Sequence, residues 1–431
     1  MAEEIKKLWR SEDYWAIWFA LILFLAILVG GVTTVPTVGK WIANPLQAFP
    51  DLRIVWIGVL GLGLGVMLTV GVAAMGENWK RFVGGYLVVF VLAVVSYFLA
   101  NQVTIKAWGL GYAIWALALG LLIANTIGTP KWLLAGARSE MFIKAGLVLL
   151  GGEILFSEIL KLGLPGLMIA WVVTPTVIMI MWWFGTRWLK MASKKLVIII
   201  AAATSVCGVS AAIAVAAACR GKKSELTLAV GMTMIFTVLM MIGMPPLCKL
   251  VGMSPAVAGG WLGGTIDSTG AVVAAGAFLG ETAEKVAAVV KMIQNILIGL
   301  VAFAVALAWI TKIEREPGAP RPSLLEIWYR FPKFIIGFVA MSLLFSFVLL
   351  PTMGEQEVSG VLSLSRVFRG WLFCLAFVSI GLESNFKELA SQLVGGKPIL
   401  LYIVGQSFNL VLTLLMSWLA FGGILFAVYS A

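Results

Sequence analysis

The sequence predicts an all-α polytopic membrane protein with about eleven transmembrane helices plus two broken or re-entrant segments. Three observations carry this. The 431 residues are 61% hydrophobic and only 12% charged, with a mean hydropathy of +1.03; a soluble domain carries roughly 25% charged residues. Eleven apolar runs are each long enough to cross ~30 Å of hydrocarbon. Two further runs are apolar but rich in Ala, Gly, Ser and Thr, and small polar residues interrupt each of them.

The eleven runs cover about 14–31, 54–74, 82–100, 107–126, 140–158, 164–187, 226–248, 286–311, 334–351, 367–382 and 398–421. The two odd runs are 196–219 and 255–280. Residues 1–13 read as a cytoplasmic lead, with no small-residue cleavage site after the first apolar run. Residues 14–311 form a membrane bundle that contains both odd runs. Residues 312–333 form a cytoplasmic linker, whose SLLEIWYRF part suits an amphipathic interfacial helix. Residues 334–431 supply the C-terminal membrane helices. Gly58, Gly61, Gly63, Gly65 and Gly71 mark an early span as a close-packing helix, with a subunit contact as one use.

Basic residues set the orientation. Lys6, Lys7 and Arg10, then Lys80 and Arg81, Lys131 and Arg138, and Arg187 to Lys195 occupy alternate loops. The positive-inside rule places the N-terminus in the cytoplasm. If 196–219 crossed, Arg220, Lys222 and Lys223 would face outward. If it dips in and returns, both basic clusters stay inside, and 255–280 must dip and return from the other side. The rival arrangement is two discontinuous helices that cross fully. Either way, broken helix ends reach the bilayer midplane, and eleven spans leave the C-terminus outside.

The breaks are ATSVCGVSAA (203–212) and WLGGTIDSTGAVVAAG (261–276). Unwound backbone at that depth is tolerated only where it is buried in protein or lines a cavity. The half-helix after each break begins with free N–H groups and a positive dipole end, which suits an anion. Candidate substrate-binding residues are therefore Thr204, Ser205, Cys207, Gly208, Ser210, Gly264, Thr265, Ser268, Thr269 and Lys291. The bland alternative is close helix packing, with each Ser or Thr bonded to its own helix.

Asp267 is a carboxylate amid an apolar segment, a placement that costs ~2.5–3.5 kcal/mol on insertion scales. Proton uptake, Na⁺ coordination and structural pairing with a cation are all open to it. Asn295 lies beside Lys291 and is grouped with Asp267 as an ion-coupling candidate. Lys291 is the obvious cation to pair with Asp267 or neutralise a substrate, unless it snorkels from a helix end. Glu153 is a second candidate intramembrane carboxylate. Gln406, Ser407 and Asn409 read as polar packing.

These stretches resemble the YeiH-type sulfate exporters, bacterial membrane proteins of about this span count. The likeness lies in TSVCGVSAAIA (204–214), GGTIDSTGAVVAAG (263–276) with VVKMIQNIL (289–297), KAGLVLLGG (144–152) and AFVSIGLESNFKEL (376–389). That family is in turn similar to the broad group of bile-acid symporters, cation/proton antiporters and 2-hydroxycarboxylate transporters. The resemblance implies scaffold and core domains, inverted repeats, elevator-like alternating access, often a dimer, and the bacterial inner membrane. Three departures stand out. Asp267-Ser268 replaces a His-Asp pair, alanine stands near Ala216 or Ala217 where an acid is usual, and Gln294 takes an arginine position.

The functional expectation is a secondary transporter of a small anion, sulfate or sulfonate-related, in the export direction. The alternative is a cation/proton antiporter with Asp267 as the shared ion site. The chain has no histidine, which removes His-based metal sites, catalytic triads and His relays. Cys207, Cys219, Cys248 and Cys374 lack CxxC spacing. No cluster of acid, base and nucleophile, no phosphate loop and no nucleic-acid signature is present, so an enzyme is not expected. Beyond a coupling proton or Na⁺, no cofactor is expected. The partners are the anion, the lipid bilayer and, on the resemblance, a second copy.

Overall fold

The computed structural model describes residues 10–107, 111–313, 323–391 and 396–427. Residues 1–9 of the expected lead, with Lys6 and Lys7, and the centre of the linker, 314–322, lie outside the described residues; Glu12 and Asp13 already belong to the first helix. In chain order the main helices are α1 (Glu12–Leu28), α2 (Arg53–Ala74), α3 (Trp79–Ala100), α4 (Tyr112–Thr126), α5 (Ser139–Glu153) and α6 (Phe156–Trp183). There follow α7 (Lys194–Ala202), α8 (Gly208–Ala218), α9 (Lys223–Leu250), α10 (Pro255–Thr265), α11 (Thr269–Leu279) and α12 (Glu281–Ala308). The last are α13 (Leu325–Arg330), α14 (Phe334–Leu344), α15 (Glu355–Glu383), α16 (Phe386–Ser391) and α17 (Lys397–Phe421).

Nine helices among the described residues are long and apolar enough to cross a membrane. One of the nine is the broken run Lys194–Ala218; the others match eight of the eleven expected runs. The remaining three runs form shorter helices, α1 of 17 residues and α4 and α5 of 15 each. The run expected at 367–382 begins much earlier, at Glu355. Hydropathy misses its first turns because they carry Glu355, Gln356, Glu357 and Arg366; Arg366 and, inside the expected run, Arg369 both pair with Glu153.

The chain divides into two compact units, Met1–Glu158 with Lys333–Asn385, and Ile159–Pro332 with Phe386–Ala431. In the first, glycines set the helix spacing. Gly61 and Gly65 of α2 face Phe90 and Tyr86 of α3, and Tyr86 donates to Gly61 O at 2.8 Å. Gly71 receives Phe19, whereas Gly58 and Gly63 meet nothing within 4 Å. Gly120 of α4 sits on the Gly381 backbone of α15. Glu153 ends α5 with its side chain fully enclosed and accepts from Arg369 Nε at 2.7 Å and Arg366 Nε at 3.1 Å. It does not snorkel: buried Arg369 and half-exposed Arg366 both reach its enclosed carboxylate.

In the second unit the two odd runs are hairpins. The first consists of α7, a wide turn over Ala203–Cys207 with i→i+5 character, and α8. Cys207 (φ −153, ψ 84) and Gly208 (φ 10, ψ −100) reverse the chain. By length Lys194–Ala218 would cross a membrane, but its ends meet. Lys195 Nζ donates to Arg220 O at 3.4 Å, and Ser193 Oγ donates to Glu225 at the start of α9. Both basic clusters therefore lie at one end, as the re-entrant reading requires.

The second hairpin is α10, the extended residues Ile266–Ser268, and α11. Its direction is read against α12. A Cβ on Gly259 would lie 2.7 Å from Ala283 O, and one on Gly263 2.7 Å from Ala287 O, so α10 runs parallel to α12. Gly276 faces Glu284, and Thr269 bonds Asn295, so α11 runs antiparallel. Both arms therefore open at the N-terminal end of α12. The first hairpin opens toward the other end: Arg330 of α13 donates to Ala214 O in α8, while Ile327 of α13 packs on Gly299 in the C-terminal half of α12. The hairpins enter from opposite ends and meet tip to tip. The linker's Leu325–Arg330 part is thus a short helix packed on protein through Ile327 and Arg330.

Candidate functional site

The tips meet beside the middle of α12. Gly208 abuts Asp267 so closely that a Cβ would lie 3.0 Å from Asp267 O and 2.7 Å from Thr233 Cγ2 of α9. Cys207 Sγ is 4.0 Å from Thr269 Oγ1. Thr204, Ser205, Thr265, Asp267 and Thr269 are all buried, and Gly208 and Gly264 lie with them. Ser268 is half-buried and Ser210 exposed. The sequence-predicted residues therefore come together, with Ser210 at the margin.

Polar side chains on three helices hold the unwound backbone. On α12, Gln294 Nε2 donates to Ser205 O at 2.9 Å and Gly264 O at 3.2 Å, joining the two tips. Lys291 Nζ donates to Val206 O at 2.6 Å and to Gln294 Oε1 at 2.7 Å. On α17, Asn409 reaches Thr204 O at 3.2 Å, Gln406 reaches Thr265 O at 3.1 Å, and Tyr402 donates to Asp267 Oδ2 at 2.5 Å. On α6, Thr174 donates to Ser205 O at 3.0 Å. Buried carbonyls freed by a helix break must find donors, and these side chains supply them.

Lys291 is 1% exposed. It does not snorkel. Nor does it pair directly with Asp267: among the described residues no carboxylate oxygen lies within 4.0 Å of its Nζ. Thr204 and Ser205 donate their hydroxyl protons to Ile200 O and Ala201 O one turn back, so the donors toward the tip space are the backbone N–H groups and Lys291. Neither α8 nor α11 has a side-chain cap at its N-terminus, which leaves first-turn N–H groups there for another acceptor. Three buried acceptors at the site have no partner: Asn295 Oδ1, Thr265 Oγ1 and Gln406 Oε1. Among the described residues no group of three Cys, Asp or Glu side chains could hold a metal ion.

Sequence reasoning missed Tyr402 and Thr174 and read Gln406 and Asn409 as packing. A signal was present. Tyr402, Gln406, Asn409, Thr413 and Ser417 recur at helical spacing along α17, and all are buried. A polar stripe of this kind in an apolar helix marks a face turned to other polar groups.

The family profile described as Conserved hypothetical protein 698 matches residues 84–402, which include both hairpins. A UPF0324 membrane protein of Rhodopirellula baltica is 52% identical over 387 residues, 89% of this chain and 71% of that protein. The chain belongs to the UPF0324 membrane protein family. A relative from Nitratidesulfovibrio vulgaris is 52% identical over 84% of this chain and 63% of its own length. One from Nitrosomonas europaea is 29% identical over 92% of each chain. The chain thus spans about two thirds of the length of the first two relatives. No solved structure matches it. Its family membership and its apolar helices make it a multi-pass membrane protein.

Proposed function

We propose that this protein is a secondary transporter of a small anion, a carrier and not an enzyme. One observation carries the reading. Two re-entrant hairpins from opposite ends bring two uncapped half-helix N-termini together beside a buried lysine that has no carboxylate in contact. Half-helix N-termini aimed at an anionic group near the midplane are a recurring device of secondary transporters. The anion would lie against Cys207–Ser210 and Ser268–Thr269, with Lys291 supplying charge and Asp267 taking the coupling proton or Na⁺.

The resemblance to YeiH-type exporters makes sulfate or a sulfonate-related anion the first substrate to try, in the export direction. It also supports inverted repeats, elevator-like movement, a homodimer and an inner-membrane location. The basic residues at the open end of the first hairpin support a cytoplasmic N-terminus and an external C-terminus. The test is flux of labelled sulfate, sulfite and small carboxylates into proteoliposomes under imposed ion gradients. Absence of flux for all of them sinks the anion reading.

A cation/proton antiporter is the second reading, favoured by the unpartnered acceptors on Asn295, Thr265 and Gln406 near Asp267. It predicts pH-dependent protection of the protein's melting by Na⁺, which sulfate does not reproduce.

A further inference from the structure

We infer that the carrier is built for a monovalent anion moved together with one proton, with no net charge crossing in either the loaded or the empty state. This rests on the anion-transport reading above and narrows its substrate class.

The charges at the tips are few. Lys291 and Asp267 are the two formally charged side chains there, one of each sign. Cys207 and Asp267 lie near Lys291, Lys291 and Tyr402 lie near Asp267, and α9 contributes the uncharged Thr233, Phe236 and Met240, with Phe236 stacked on Tyr402 at 4.6 Å and Met240 on Gln406. The unit's other buried charges, Glu284 and Lys285, lie at the base of the second hairpin and also cancel. With Asp267 ionised and Lys291 protonated, the empty tips are neutral. A bound monoanion adds one negative charge. One proton on Asp267 restores neutrality, and Tyr402, already hydrogen-bonded to Oδ2, keeps the acid in place. The remaining contact of Lys291 is free for the anion, since Val206 O and Gln294 Oε1 use two of its three protons.

A dianion does not fit this balance. It would need a second buried acid, and among the described residues the tips offer no other carboxylate. The half-helix dipoles orient an anion but have no net charge, so they leave the total unchanged. Uncompensated charge inside a membrane is costly, so a core carrying minus one would be a poor species to move.

The test compares methanesulfonate, hydrogensulfite and acetate with sulfate in proteoliposomes, with pH gradient and membrane potential set independently. Expected is uptake of at least one monovalent anion driven by the pH gradient and unmoved by potential. A carrier of one net charge would instead change its accumulation about 50-fold per ~100 mV. Asp267→Asn should convert that flux to one driven by potential and indifferent to pH gradient. Sulfate uptake without monovalent uptake, or a potential-driven wild-type flux, overturns this inference while leaving the anion reading intact. No flux of any anion, with Na⁺-dependent protection, overturns the anion reading and this inference with it.

Discussion

Tyr402 Oη donates a 2.5 Å hydrogen bond to Asp267 Oδ2, while Lys291, among the described residues the one formal positive charge at the tips, is bonded instead to Val206 O and Gln294 Oε1. The acid and the base of the site are thus held apart by separate partners on separate helices. A direct ion pair would neutralise both and leave little for a ligand. Their separation keeps a positive group and a protonatable group both available.

Tyr402→Phe removes the donor and leaves the ring stacked on Phe236. A hydrogen bond to a charged group contributes ~1.5–3 kcal/mol. The variant should melt lower by that order and lose proton-driven flux more than it loses anion binding. Melting curves with flux assays at two pH values check this.

Gln294→Leu strands Gly264 O and one proton of Lys291, and leaves Ser205 O with Thr174 alone. Each buried group left unpaired costs ~1–3 kcal/mol. The expected result is a destabilised protein without flux, whereas Gln294→Glu, which retains an acceptor for Lys291, should recover part of the stability. Thermal unfolding in detergent reads both.

Gly208→Val places a side chain where a Cβ alone would already lie 2.7 Å from Thr233 Cγ2. Overpacking of this kind costs ~1–3 kcal/mol. Loss of flux with folded protein still recovered is the expected outcome, measured by size-exclusion profile and transport together.

Glu153→Gln is a contrasting case in the other unit. It removes the counter-charge of Arg369, and breaking a buried pair costs ~3–5 kcal/mol. The surviving protein should melt lower yet show unchanged anion preference, tested by competition between unlabelled anions.

Lys222→Cys and Ser254→Cys mark the open ends of the two hairpins. All four native cysteines are buried and none forms a disulfide, so a membrane-impermeant thiol reagent reads the introduced ones. Each should be labelled from one side only, and from opposite sides.

Much of this site was legible in the sequence, because its two breaks are compositional. Ser, Thr and Gly interrupt Ala-rich helices at 203–212 and 261–276, and Arg220–Lys223 conflicts with a straight crossing. What was not legible is how the freed carbonyls are satisfied. That depends on Thr174, Tyr402, Gln406 and Asn409, which lie far away in sequence on helices that hydropathy reads as ordinary spans. Charges inside spans misled in a second way. Glu355, Glu357 and Arg366 shortened the expected helix at 367–382, because a hydropathy window cannot foresee that Arg366 pairs with Glu153, 213 residues away. Lys291 was ambiguous for the same reason: only the packing distinguishes a buried amine bonded to a helix break from one that snorkels.

On the proposed function an anion occupies the space between the hairpin tips against Lys291. Anomalous diffraction from crystals grown in bromide tests it most directly. A strong peak is expected within hydrogen-bonding reach of Lys291 Nζ, bordered by the N-termini of α8 and α11, and lost in Lys291→Met. Bromide confined to surface lysines, with a cation instead at Asp267, would contradict it.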